Sequence, residues 1–291
     1  METMRVFLLM AGLTALLVVL GGTFFGQQGA IFFFVIAAVM NFGMYWFSDR
    51  VVLKMYRARV IERSDAPDLY DMVDQLRERA NLPMPTLAIA AAEQPNAFAT
   101  GRSPEHAVVC CTAGILKLVN REELEGVLAH ELAHIKHRHM LLGTMAATMA
   151  GAIAMLGRAL MWGAILGGGS RDGEGGNPFG ALIMMIVAPV AAMIIQFAIS
   201  RQHEFQADRT AAELTGRPEG LADALKKLDA YAQRIPMQVN PAAAQLAIVN
   251  PLAGQKGIGF LKLFSTHPPT EERIAKLQAL AADPSFAALR G

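Results

Sequence analysis

The sequence predicts an α+β domain combined with transmembrane α-helices, four spans arranged as two hairpins. Three observations predict it. Apolar residues make up 53% of the 291, yet 18% are charged, a mixture that suits a water-exposed domain fused to membrane spans better than either alone. The stretches Val6 to Phe25, Ile31 to Phe47, Met140 to about Leu166 and Ala181 to Ile199 are apolar over the ~17 to 25 residues that a bilayer requires. Around them lie short strand-like runs and helices with one apolar side.

The first two spans flank Gly26-Gln27-Gln28-Gly29-Ala30, a short uncharged link, and so form a tight hairpin. A cleaved signal peptide is the weaker reading, because the apolar core is too long and a second span follows at once. Asp65 to Ala80 reads as a helix with Pro67 in its first turn and Leu69, Met72, Val73 and Leu76 on one side. Thr86 to Ala91, Ala97 to Thr100 and Ala107 to Cys111 read as short strands. Cys110 and Cys111 are adjacent in the third, which makes a bridge between them unfavourable; they read as reduced core residues. Asn120 is a good N-cap, Glu122 and Glu123 suit a first turn, and Leu124, Val127, Leu128, Leu132 and Ile135 continue at helical spacing. The second hairpin turns through the glycine-rich Gly167 to Gly180. Arg158 in the third span reads as a structural residue of a small-residue bundle. Then come a helix from about Ser200, another near Gly220 to Ile235, an irregular stretch from Pro236 to Thr266 and a last helix from Thr270. The chain thus divides into a hairpin (1–49), the first part of the α+β domain (50–139), a second hairpin (140–199) and the second part of the domain (200–291).

Charge orients the spans. Arg50, Lys54, Arg57, Arg59 and Arg63 follow the second span, Lys136 and Arg138 precede the third, and Arg201 follows the fourth, whereas the intervening loop sets Arg171 against Asp172 and Glu174. The positive-inside rule therefore puts both termini and the α+β domain in the cytoplasm, beneath the cell's inner membrane. A net charge of +1 argues against a nucleic-acid partner, which selects for a basic stripe.

His130-Glu131-Leu132-Ala133-His134 carries the chemistry. On a helix, positions 130 and 134 differ by about 40°, so both imidazoles reach one metal ion, and Glu131 lies to the side, where a general base for a metal-bound water belongs. Catalytic zinc typically takes three protein ligands, so a third is expected downstream; Ser200 to Asp208 supplies His203, Glu204 and Asp208, with Glu204 and Asp208 on one helix face. His134 lies six residues before Met140 and Glu204 five after Ile199; if both helices continue out of the bilayer, each ligand sits roughly 7 to 9 Å above its span at ~1.5 Å per residue.

Together with the downstream SRQHEFQADRTA, the PNAFATG segment at Pro95 to Gly101 and STHPPTEERI at Ser265 to Ile274, this motif resembles the HtpX group of membrane-bound zinc metallopeptidases, relatives of the CAAX prenyl endopeptidases. The resemblance covers nearly the whole chain. It implies a zincin-like metalloprotease domain holding one Zn2+ per chain, His130, His134 and Glu204 as ligands, Glu131 as catalytic base, and a role in quality control of membrane proteins. His203 is a chemically plausible substitute for Glu204, but the two point about 100° apart, so only one faces the metal.

Further residues admit two readings each. Asp208 either fixes the tautomer of a ligand imidazole or pairs with Arg201 or Arg209. His267, stiffened by Pro268 and Pro269, either donates to the oxyanion formed during attack or caps the helix at Thr270. Asn96, Ala97 and Phe98 form either an edge that pairs with an extended substrate or an ordinary core strand anchored by Phe98. His137 and His139 read as helix caps at the lipid headgroup boundary, beside Lys136 and Arg138. The function these residues predict is a membrane-anchored zinc endopeptidase acting on unfolded or damaged membrane proteins at the cytoplasmic face. The rivals are a CAAX-type prenyl peptidase, which needs a larger intramembrane chamber than four short spans build, and a non-catalytic metal-binding membrane scaffold, which would carry acidic residues within its spans.

Overall fold

The structure, a computed structural model, describes residues 2–146, 148–149, 201–234, 246–249 and 268–287. Helix α1, Glu2–Met55, is apolar on every side and folds back on itself at Gly26, whose φ of 66° and ψ of −158° interrupt the helical backbone. A left-handed φ at one residue suffices to reverse the chain, and glycine adopts it without steric cost. The expected five-residue link is thus compressed to Gly26, and residues 27–30 are helical. The arms pack closely: Asn41 Nδ2 donates to Met10 O (3.2 Å) and to Thr14 Oγ1 (2.9 Å). Met4–Thr23 and Gly26–Met55 are each long and apolar enough to cross a membrane. Phe7, Phe32, Val39 and Phe42 stand more than 60% exposed on their outer faces, an apolar surface that water does not favour. The remainder of the expected third span and all of the fourth lie outside the described residues.

Past α1 the chain forms a four-stranded sheet of order β1-β2-β4-β3, built from β1 (Ala58–Val60), β2 (Thr86–Ala90), β3 (Ala97–Thr100) and β4 (Val108–Thr112). β2 and β4 run parallel, and β1 and β3 pair antiparallel at the two edges. Helix α2, Pro67–Ala80, begins on the predicted proline and buries Leu69, Met72, Val73 and Leu76. The short helix α3, Ala113–Leu118, leads to α4, Arg121–Lys136. A full capping box starts α4: Asn120 Oδ1 accepts from the Glu123 amide, and a Glu123 carboxylate oxygen accepts from the Asn120 amide.

The sheet has two covered faces. Leu87, Val109 and Cys111 join Leu76, Leu128 and Leu132 in the main core, while Ala88, Phe98 and Cys110 pack on Val52 near the end of α1. Alternation along β4 therefore sends the two free cysteines into different cores, both buried. The second half of the domain supplies α5 (Arg201–Thr215), α6 (Pro218–Arg234), α7 (Thr270–Ala282) and α8 (Pro284–Ala287). α4 and α6 cross so closely that a Cβ on Gly126 would lie 2.6 Å from Leu221 N, and one on Gly220 would lie 2.7 Å from Glu122 O. That contact holds the N-terminal part of α4, on the stripe that one turn later carries His130.

One expectation is corrected at the end of α4. The helix does not run straight on toward the membrane: it ends at His137, Arg138 takes a left-handed φ of 60°, and helix resumes at residue 139. The resumed helix lies against the α1 hairpin, where Leu142, Met145 and Met149 share a core with Leu9, Leu13 and Met44.

Candidate active site

Helix α4 presents His130 and His134 one turn apart, and α5, lying alongside, presents Glu204 opposite them. Nε2 of His130 and Nε2 of His134 are 3.0 Å apart, His134 Nε2 is 3.5 Å from one Glu204 oxygen, and His130 Nε2 is 3.7 Å from the other. Four-coordinate zinc with bonds of about 2.0–2.1 Å spaces its ligand atoms by about 3.4 Å, so each of these three separations is close to a tetrahedral edge, with one Glu204 oxygen facing each histidine. Two imidazole nitrogens and a carboxylate oxygen are also the donor set that a catalytic zinc takes. Among the described residues this is the one group placed to hold a metal.

The other nitrogen of each imidazole is held as well. Asp208, one turn after Glu204 on α5, sets a carboxylate oxygen 3.0 Å from His130 Nδ1, so a proton on Nδ1 donated to Asp208 leaves the Nε2 lone pair facing the cluster. His134 Nδ1 lies 3.2 Å from His139 Nδ1. Sequence reading placed His139 at the headgroup boundary; the turn at Arg138 instead folds it back to stack on His203, ring centroids 4.1 Å apart and planes within 8°. His203 is thereby committed to His139 and takes no place in the metal-ligating group. His137 does cap α4, and its ring bonds Thr210 Oγ1 at 2.9 Å.

Asp208 pairs with neither Arg201 nor Arg209. Its partner is Arg273 of α7, whose Nε and Nη2 fork onto the two carboxylate oxygens at 2.8 and 2.7 Å. The same guanidinium donates to Ile248 O at 2.8 Å and stands 3.3 Å from Glu204. Arg273 is 1% exposed. Burial opposes its charge, but Asp208 and then Glu204 outweigh that cost, and the guanidinium stays protonated. Burial likewise pushes Asp208 up, but Arg273 and the His130 hydrogen bond hold it below the usual carboxylate range. For His130, burial opposes protonation while the Asp208 hydrogen bond and the Asp208 and Glu204 charges raise its pKa; for His134, burial and the neighbouring His130 drive it well down, so it is neutral.

Glu131 is 4% exposed and accepts a hydrogen bond from the backbone of Ala99 in the edge strand β3. Burial pushes its carboxyl up to about 7, with Glu204 adding to the rise, and His130 and the Ala99 backbone amide opposing it. A carboxylate poised near neutrality is suited to take and return a proton.

The remaining expected residues fall as follows. β3 is an edge strand, but the side chains from Ala97 to Thr100 are all buried, with Phe98 stacked on Tyr56 at 4.4 Å between centroids. What this edge can offer a peptide is main chain. The Asn96 side chain is bound to the 246–249 segment, accepting from Ile248 N and donating to Leu246 O. His267 lies outside the described residues. Sequence reading missed Arg273 and His139; Arg273 sits inside the STHPPTEERI motif, but nothing local marks it as buried rather than solvated.

The profile of peptidase family M48 matches residues 63–281, a span that contains the whole site. The chain belongs to peptidase family M48. It is therefore a metalloprotease, a hydrolase of peptide bonds. Among relatives it is 57% identical over 282 residues to the "Protease HtpX homolog" of Gemmatimonas aurantiaca, spanning 97% of this chain and 100% of that one. It is 53% identical to the protein of the same description from Pelotomaculum thermopropionicum, with the same coverage. The crystal structure of S. mikatae Ste24p superposes with a TM-score of 0.47 at 19% identity, over 92% of this chain and 62% of that one.

Proposed function

We propose that this M48 peptidase is a zinc-dependent endopeptidase anchored in the cell's inner membrane, which cleaves unfolded or damaged membrane proteins at the cytoplasmic face. The observation that carries the reading is the convergence of His130, His134 and Glu204 on one point beside the buried Glu131, in a domain whose N-terminal helix exposes an apolar hairpin. Zinc held there supplies Lewis acidity toward a water and a peptide carbonyl. Glu131 accepts the proton of the water as its oxygen adds to the carbonyl carbon, and gives it to the amine nitrogen as the C–N bond breaks. Asp208, anchored by Arg273, keeps His130 in the ligating tautomer. His267 is assigned the hydrogen bond to the oxyanion. Of Asn96, Ala97 and Phe98, the Asn96 main chain is already bonded to Thr112, so the outward main chain of the β3 edge at Ala97 is assigned to pair with an extended substrate, which gives affinity with little sequence preference.

Removing one ligand tests the metal assignment. Glu204→Ala should lower bound zinc from one per chain by roughly tenfold or more, whereas His203→Ala, off the group, should largely retain it. Metal content of the purified variants reads the outcome, and the reverse pattern would assign the third ligand to His203.

The four-span topology is supported by the packing of Leu142, Met145, Ala146 and Met149 along the α1 hairpin. Cys110 and Cys111 are buried with their thiol pKa values raised by burial, Cys110 to about 12, so both are poor nucleophiles. A Ser170→Cys variant should then be labelled by a membrane-impermeant maleimide from outside intact cells. Protection there, with labelling only in inverted vesicles, would reduce the count to two spans and make the later hairpin re-entrant or cytoplasmic.

A further inference from the structure

Where the α1 hairpin meets the α+β domain there is a cavity of about 430 Å³ that the peptidase chemistry does not use. Three separate segments build it. Val6 and Met10 come from the start of the first arm, Tyr45 from the second arm, and Leu141 from the helix that follows the turn at Arg138; these make its wall largely apolar. Arg102, which follows β3, and Arg138 border the same cavity. Arg102 lies with its guanidinium carbon 4.7 Å from the centre of the Trp46 ring. Neither guanidinium forms an ion pair among the described residues. The nearby Glu105 is engaged by Ser103 and its own backbone ahead of any influence from Arg138.

The left-handed backbone of Arg138 has a role in this. A non-glycine residue at a φ of 60° is costly, roughly 1 kcal/mol or more, and the residue that bears it is usually small. Here it is an arginine, and the turn sets it beside the cavity mouth. Two cations, a tyrosine and a tryptophan above an apolar cleft between helices reproduce the chemistry of a membrane interface: aromatic rings at headgroup level, and basic side chains where phosphates lie.

We propose that this cavity is a binding site for one anionic phospholipid, its phosphate held between Arg102 and Arg138 and one acyl chain in the cleft of Val6, Met10 and Leu141. The proposal rests on the membrane-anchored reading above. A lipid seated there touches the hairpin, the strand connection after β3 and the turn that leads from α4, and so ties the membrane segment to the domain that holds the metal-ligating group. Charge selects its class: a zwitterionic lipid brings a cation of its own to the two arginines, whereas phosphatidylglycerol does not.

The test is native mass spectrometry and thermal unfolding of the full chain in neutral detergent, titrated with phosphatidylglycerol, phosphatidylcholine or inorganic phosphate. One phosphatidylglycerol per chain should be retained and should raise Tm, with phosphatidylcholine bound at least tenfold more weakly and phosphate alone giving no shift. Arg102→Gln with Arg138→Gln should lose about tenfold to thirtyfold in phosphatidylglycerol affinity, the effect of two charges near an anionic headgroup. Arg59→Gln with Arg63→Gln, which removes the same charge from exposed positions elsewhere, should keep it. Equal retention of both lipids, an unchanged preference in the first double variant, a loss in the second, or a full shift from phosphate alone each overturns the site. Alkaline carbonate extraction separates this from failure of the anchoring itself: a chain released by carbonate sinks both readings, whereas a chain that stays in the membrane without lipid preference sinks only this one.

Discussion

Glu131→Gln should keep one zinc per chain and lose peptide hydrolysis by about 10²- to 10⁴-fold, the range that a positioned proton acceptor contributes. The amide matches the carboxyl in shape, so the packing around this 4% exposed side chain is preserved. It carries no charge beside Glu204, which relieves a repulsion and leaves the three ligating atoms where they are. What it lacks is a lone pair basic enough to hold the proton of the attacking water. Metal content and turnover of a quenched peptide, measured on the same preparation, separate the two properties. Wild-type turnover with zinc in place would mean that the proton leaves through another group. The pH profile adds a check with a defined sign. Burial, with the Glu204 charge and against His130 and the Ala99 amide, sets the Glu131 carboxyl at about 7; a cation added beside it lowers that further, and the base works deprotonated, so the acid limb of wild-type kcat/KM should fall below pH 7.

The site was legible where its determinants are local. Asn120 and Glu123 announce the start of α4, the i and i+4 spacing of His130 and His134 announces their shared face, and Glu204 with Asp208 repeat that spacing on α5. β3 was legible to the residue because Pro95-Asn96 before it and Gly101 after it bound the short run on both sides. The rest depends on contacts distant in sequence. β1 is three residues inside a basic run, and only pairing with β2 makes Ala58–Val60 a strand. Lys136-His137-Arg138-His139 reads as a charged helix end on either side of a break that only the left-handed Arg138 reveals. His139 looked like a membrane-boundary residue because sequence shows its nearness to Met140 and not its return to His134 and His203. In the same way Arg273, in the polar first turns of α7, reads as an exposed charge until Asp208, 65 residues away, is brought against it.

Arg273 carries the largest expected effect on stability. Its five donors are divided among Asp208, Ile248 O and the neighbourhood of Glu204, and at 1% exposure no water can replace them. Arg273→Met conserves most of the volume and removes the charge, leaving two buried carboxylates without their counter-ion. Breaking a buried pair from one side costs about 3–5 kcal/mol, which for a chain of this size lowers Tm on the order of 10 °C. Arg273→Lys should recover only part of that, because a single ammonium cannot fork onto both Asp208 oxygens while also reaching Ile248 O. Adding Asp208→Asn to Arg273→Met should return part of the lost stability, since removing both partners leaves less uncompensated charge than removing one. That double variant should not regain zinc affinity, because His130 Nδ1 then lacks the carboxylate that holds its tautomer. Unfolding temperature and metal content therefore move apart in the double variant and together in Arg273→Met. If Arg273→Met unfolded at the wild-type temperature, the guanidinium would have to be solvated rather than buried, and the link it makes between α7 and the metal-ligating helices would be lost.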